Sequence, residues 1–163
     1  MNLDQASYHR RKPMRLKEFD YAAPNQVFFL TLCTKGKIPL FADKGLNGEV
    51  VQCIREEKER VGHAIYVNCL MPDHIHLLSS PLESRIPVTH FMGGLSSKIT
   101  RLSWQHGFLG KVLQRSFYDH ILQKDESLRK VAEYILDNPV RRGLAEKRND
   151  HPFCGVIDEL PLL

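Results

Sequence analysis

His74-Ile75-His76 is the segment of this chain best suited to hold a cation. In an extended strand alternate side chains leave on one face, so both imidazoles project together while Ile75 enters the opposite layer. Two strand rises put their Cα atoms roughly 6.6–6.8 Å apart, a separation from which two ring nitrogens converge on one ion. Two histidines hydrogen-bonded on a half-exposed strand satisfy the same pattern. About sixty residues later Tyr134 and Asn138 stand one helical turn apart and share a helix face. At 100° per residue, with Leu128 as zero, they fall at roughly 240° and 280°, on the flank of the apolar stripe Leu128, Val131, Ala132 and Ile135. A flank tyrosine either packs with its hydroxyl in water or presents a phenol to a ligand. Asn138 sits at the helix C-terminus, where unpaired carbonyls favour a cation, so its amide oxygen is a candidate third ligand.

These residues need a scaffold, and the hydrophobic pattern predicts one. Val27–Cys33 reads as a central strand after a Pro24-Asn25 turn. Leu46–Val61 has helical spacing and is ended by Gly62. Ala64–Met71 and His74–Ser79 form a hairpin across Pro72-Asp73. Ile86–Trp104 is a second helix, interrupted by Gly93-Gly94, and Lys111–Leu122 is extended, with room for a last strand. Asp125 is the expected cap of a third helix from Leu128, which Pro139 stops. The order predicts an α+β, ferredoxin-like (RRM-like) βαββαβ antiparallel sheet with an added C-terminal helix that carries the tyrosine. Two helices then cover one sheet face and leave the other for chemistry.

The 163 residues, 42% hydrophobic and 26% charged, fit one domain, with a basic arm over 1–24 and a loosely packed tail over 144–163. Val27-Phe28-Phe29-Leu30 and the three residues after it are far short of the ~20 residues that span a bilayer. The first five residues lack a signal-peptide layout, so the expected location is cytoplasmic, with no membrane partner. Cys33, Cys53, Cys69 and Cys154 form no C-x-x-C pair and read as free thiols. The net charge of +4 is mild, but Arg10, Arg11, Lys12, Arg15 and Lys17 precede the first acid after them, Glu18. Such an arm meets phosphate or is simply solvated. The remaining histidines, His9, His63, His90, His106, His120 and His151, show no ligand spacing.

Met71-Pro72-Asp73-His74-Ile75-His76-Leu77-Leu78, followed by Tyr134-Ile135-Leu136-Asp137-Asn138-Pro139-Val140-Arg141-Arg142-Gly143-Leu144, resembles the two signature blocks of the single-tyrosine HUH transposases, and most closely their REP-associated tyrosine transposases. The basic arm, the strand Val27–Thr31 and the segment Gln114–His120 extend the resemblance over nearly the whole chain. Asp73 stands where the family usually has Asn, and His151-Pro152-Phe153-Cys154-Gly155 replaces a serine-rich segment.

The resemblance implies that Tyr134 is the nucleophile and that His74, His76 and Asn138 hold magnesium or manganese. It implies a 5′-phosphotyrosine intermediate, a single-stranded or hairpin DNA substrate with hairpin-forming REP repeats, and a monomer or homodimer. Neutral nitrogen and amide donors tolerate such an ion, whereas zinc would normally recruit a cysteine, a carboxylate or a third histidine. A phosphotyrosine conserves the bond energy of the broken diester, so no ATP is expected. Arg10, Arg11, Lys12 and Arg15 are the expected DNA contacts, with Lys98, Arg101 and Arg115 added. Two other readings use the same residues. One is a non-catalytic DNA- or RNA-binding module with Phe29 and Tyr66 as stacking platforms, and the other is a metal-hydroxide nuclease in which Tyr134 only positions substrate.

Overall fold

A computed structural model of the chain describes residues 15–124 and 126–161. Five strands form one sheet: β1 (Phe28–Cys33), β2 (His63–Met71), β3 (His74–Pro81), β4 (Tyr118–Ile121) and β5 (Cys154–Val156). Their order is β4-β1-β3-β2-β5, and every neighbouring pair is antiparallel. The helices are α1 (Lys44–Val61), α2 (Val88–Gln105), α3 (Leu128–Leu136) and α4 (Asn138–Arg141). The first four strands and two helices make the predicted ferredoxin-like unit, with α3 added to it.

Strand alternation sorts the side chains into two layers. Leu30, Ile75 and Leu77 face Val50 and Ile54 of α1 and Phe91, Leu95 and Ile99 of α2 in the larger core. Phe29, Val67, Cys69 and Leu78 face Val131, Ala132 and Ile135 of α3 in the smaller one. Each such fully buried aliphatic or aromatic side chain contributes about 1.5–3 kcal/mol. Between Ile65 and Val67 the β2–β3 register slips at Tyr66, a bulge that keeps both layers continuous.

Asp43 caps α1 by accepting from Leu46 N at 2.9 Å, which draws its carboxyl below the ordinary range, and Gly62 ends the helix in the left-handed region at φ 68°. Gly94 has a packing reason inside α2, because a Cβ there would collide with the Glu57 carboxylate of α1. Glu57 has no side-chain exposure and is paired with Arg60 and Lys98. Arg60 chiefly holds its carboxyl below the usual value.

Three expectations are corrected. The α3 cap is Ser127, whose hydroxyl accepts from Lys130 N at 3.3 Å, whereas the expected cap Asp125 lies outside the described residues. Pro139 does not end the helical path. It occupies the first turn of α4, where its missing N–H leaves no helical bond broken. The segment over 144–163 is not wholly a loose tail, since β5 pairs with Val67–Cys69. There Leu70 N donates to Phe153 O at 2.9 Å, and Asp158 Oδ2 accepts from Ile65 N at 2.8 Å.

Candidate active site

The hairpin that carries the histidines is fixed at its turn. Thr34 N and its hydroxyl both donate to Asp73 O, at 2.9 and 3.0 Å, and Phe41 N donates to Pro72 O at 3.0 Å. His74 and His76 then point to the α3 side, in register with Cys33 and Thr31 of β1 and with Met71 and Cys69 of β2. Their Nε2 atoms are 3.1 Å apart, and both side chains are buried. The outer nitrogens have partners: His74 Nδ1 lies 2.7 Å from Asp73 Oδ1, and His76 Nδ1 lies 3.0 Å from Thr31 Oγ1. Such partners fix ring orientation and turn the remaining nitrogens inward.

The pair fits a divalent ion. Two ligand atoms at about 2.1 Å from one ion and at right angles are roughly 3.0 Å apart, whereas a tetrahedral pair is roughly 3.4 Å apart. The observed separation lies between these two values. The same distance also accommodates a proton shared between the rings, with the rotatable Thr31 hydroxyl donating to His76. Among the described residues no group of three or more histidine, cysteine or carboxylate side chains is arranged to hold a metal.

Phe29 links the histidines to the tyrosine. Its ring centroid is 5.1 Å from that of His76 and 6.2 Å from that of Tyr134, the latter edge-on at 74°. Asn138 is buried and opens α4, a correction to its expected place at the C-terminus of the helix that carries Tyr134, which ends at Leu136. Arg141 ties the two together, with its guanidinium 3.9 Å from the centre of the Tyr134 ring. It also donates to Tyr134 O at 3.1 Å and reaches Asn138 Oδ1 at 3.5 Å. Sequence reasoning missed Arg141 as a site residue, although its spacing of three from Asn138 and seven from Tyr134 marks a shared helix face. Asp73 and Thr31 were missed as partners of the histidines. Asp73 is sequence-adjacent to His74, but Thr31 enters only through strand register. His120, on β4 opposite Phe29, is paired with Glu126 just before α3.

The expected DNA-binding cations separate into three groups. Arg10, Arg11 and Lys12 lie outside the described residues. Arg15 is paired with Asp119 and stacked 3.8 Å over the Phe117 ring, and Lys98 is 2.6 Å from Glu57, so packing accounts for both. Arg101 and Arg115 are exposed beside one groove. Phe29 and Tyr66 are buried, which removes them as stacking platforms. The four cysteines are free thiols, and Cys69, across from Cys154, is pushed far above the ordinary thiol range by hydrogen bonding with it and by burial. No helix among the described residues is long and apolar enough to cross a membrane.

The family described as "Transposase IS200 like" matches residues 24–138, which include both histidines, the tyrosine and the asparagine. An uncharacterized protein of Haemophilus influenzae is 25% identical over 169 residues, covering 83% of this chain and 91% of that protein. A second Haemophilus influenzae protein, provisionally named a REP-associated tyrosine transposase, is 24% identical over 137 residues, covering 78% of this chain and 77% of its own length. The solved structure of a REP-associated tyrosine transposase bound to a REP hairpin shares the fold with a TM-score of 0.69 at 18% identity, over 86% of this chain and 81% of that one. A provisionally named transposase from Deinococcus radiodurans matches with a TM-score of 0.52 at 17% identity, over 77% and 96% of the two chains.

Proposed function

Because this chain belongs to the IS200-like transposase family, we propose that it is a metal-dependent, single-strand-specific DNA endonuclease and strand transferase that acts on hairpin-forming repeats through a 5′-phosphotyrosine. The observation that carries the reading is the convergence of the His74 and His76 Nε2 atoms at 3.1 Å on the sheet face where Phe29 touches both His76 and Tyr134. The hairpin-bound relative supports hairpin DNA as the substrate class.

His74, His76 and Asn138 would hold the ion, with Asp73 and Thr31 orienting the two rings from behind. A bound divalent ion supplies Lewis-acid polarisation of a phosphate oxygen and alignment of the phosphorus. The rest falls to the chain's own groups. Tyr134 Oη attacks the scissile phosphorus, the P–O3′ bond breaks, the phenol proton leaves to water, and the departing 3′-oxygen takes a proton. In the reverse step a 3′-hydroxyl attacks the phosphotyrosine, restoring a diester and the phenol without net loss of a phosphoester. Arg141 keeps the Tyr134 ring from rotating and fixes its distance to Asn138 before substrate arrives. A tyrosine on a short helix against a sheet needs a backbone it can approach without a paired strand in the way, which favours single-stranded DNA.

The test is incubation with labelled single-stranded repeat DNA and manganese, followed by denaturing electrophoresis. A denaturation-resistant adduct is expected with the wild-type chain and none with Tyr134→Phe. Metal-dependent cleavage that persists in Tyr134→Phe would assign the chemistry to a metal-bound hydroxide instead.

A further inference from the structure

We infer that a second DNA-binding element, a groove between α2 and the segment 111–115, takes the single-stranded flank of the substrate. This deepens the reading above and rests on it for the ligand class. The groove is open to solvent and has a volume of about 380 Å³. Arg101, Lys111 and Arg115 line it with Trp104 and Gln114, and no carboxylate is among its lining residues. Among the described residues none of these three cations takes part in an ion pair, in contrast to Lys98 one turn earlier on α2, which is held by Glu57. Three unpaired cations around one concavity are a site for phosphates.

Trp104 supplies the second ingredient. It is 51% exposed, although a large aromatic ring gains by burial. Its orientation is nevertheless fixed, because the indole N–H donates to Gly110 O at 2.8 Å in a loop turned by positive φ at Gly107 and Gly110. A held, half-exposed indole beside three cations has the composition of a base-stacking platform with a phosphate track. Its sequence tolerance follows, since every base has a π face.

The groove is also connected to the active site. Its 111–115 wall is fastened to the end of β1: Thr34 bridges Leu113, and Gln114 N donates to Cys33 O at 2.9 Å. Cys33 is in register with His74. Two strand spacings, roughly 10 Å of backbone, therefore separate this wall from the histidine strand. The groove opens on the α2 side of the sheet and the histidines on the α3 side, so a flexible single strand rounds the end of β1 to reach both. A rigid duplex does not make that turn.

Trp104 is the only tryptophan in the chain, so its emission reports the groove directly. Titration of the intact protein with a twelve-nucleotide oligothymidylate is expected to quench that emission saturably, and a duplex of equal length to quench it less. The triple variant Arg101→Gln, Lys111→Gln, Arg115→Gln should raise the Kd for the labelled oligonucleotide at least tenfold. It should also flatten the log–log salt slope by about 2, the share of three phosphate contacts on a single strand. Unchanged emission on saturation, stronger quenching by duplex, or an unaltered Kd in the triple variant would overturn the groove. Tyr134→Phe should keep the quench in full. A quench without any covalent adduct in the wild-type chain supports the groove and removes the catalytic reading, whereas an adduct without a quench removes the groove alone.

Discussion

Two histidines on adjacent strands of the same sheet, His63 and His76, are each 2% exposed, and they face opposite layers. His63, on the α2 side, is stacked on Phe91 and has Nε2 2.6 Å from Ile86 O, while its Nδ1 lacks a partner among the described residues. Burial chiefly holds its pKa below the ordinary 6.5. His76, on the α3 side, has Nδ1 against Thr31 and Nε2 against His74. Depth is the same in both. The difference lies in what turns the nitrogens: His63 has a backbone carbonyl and a flat aromatic neighbour, as a packed core residue does, whereas His76 has a hydroxyl behind it and a second imidazole in front, the arrangement the proposed ion site requires.

Breaking this contrast outright should give the largest effect. His76→Ala should lower manganese-dependent adduct formation by at least about a thousandfold while leaving the Kd for DNA within about threefold. His63→Phe should leave the adduct rate within about threefold, and loss of activity there comparable with that of His76→Ala would erase the distinction between the two faces. Thr31→Val sharpens it, since it removes only the hydroxyl behind His76. Manganese affinity, measured by calorimetry, should fall about 10–100-fold with an unchanged melting temperature.

On the α2 face packing, not ligation, is at stake. Gly94→Ala drives a methyl group into the Glu57 carboxylate and should cost about 1–3 kcal/mol in urea unfolding, without a change in manganese affinity. The smallest effect concerns the titration of His63. Its folded pKa lies below its unfolded value of 6.5, so as pH falls the unfolded chain binds the proton first. The stability it contributes is complete above that unfolded value and is lost as pH drops through the folded one. The melting temperature of wild type should therefore fall more steeply from about pH 7.5 to about pH 5 than that of His63→Phe.

Most strands and helices through α3 were legible because each carries its own period, with β-rich runs, apolar residues at helical spacing, and Gly62 and Pro72-Asp73 as breaks, whereas β4 was legible only as part of the extended stretch Lys111–Leu122. β5 was not legible. Three residues with a glycine at their centre carry no period, and the strand exists only because the edge of β2 is there to pair with it. Pro139 was misread for a similar reason. Whether a proline ends one helix or begins another depends on the chain after it. In the site, the geometry of His74 and His76 followed from strand alternation alone. Their partner Thr31 depended on a cross-strand register that only the folded sheet defines. Lys98 and Arg101 looked alike along α2, and Glu57 on a different helix separates them.

Electron spin-echo spectroscopy of bound manganese reads whether His74 and His76 share the proposed divalent ion beside Tyr134. With ¹⁵N-labelled histidine, coupling to two imidazole nitrogens is expected, to one in His76→Ala, and to none when His74 is also replaced. Manganese bound to the wild-type chain without imidazole coupling would overturn the shared ion.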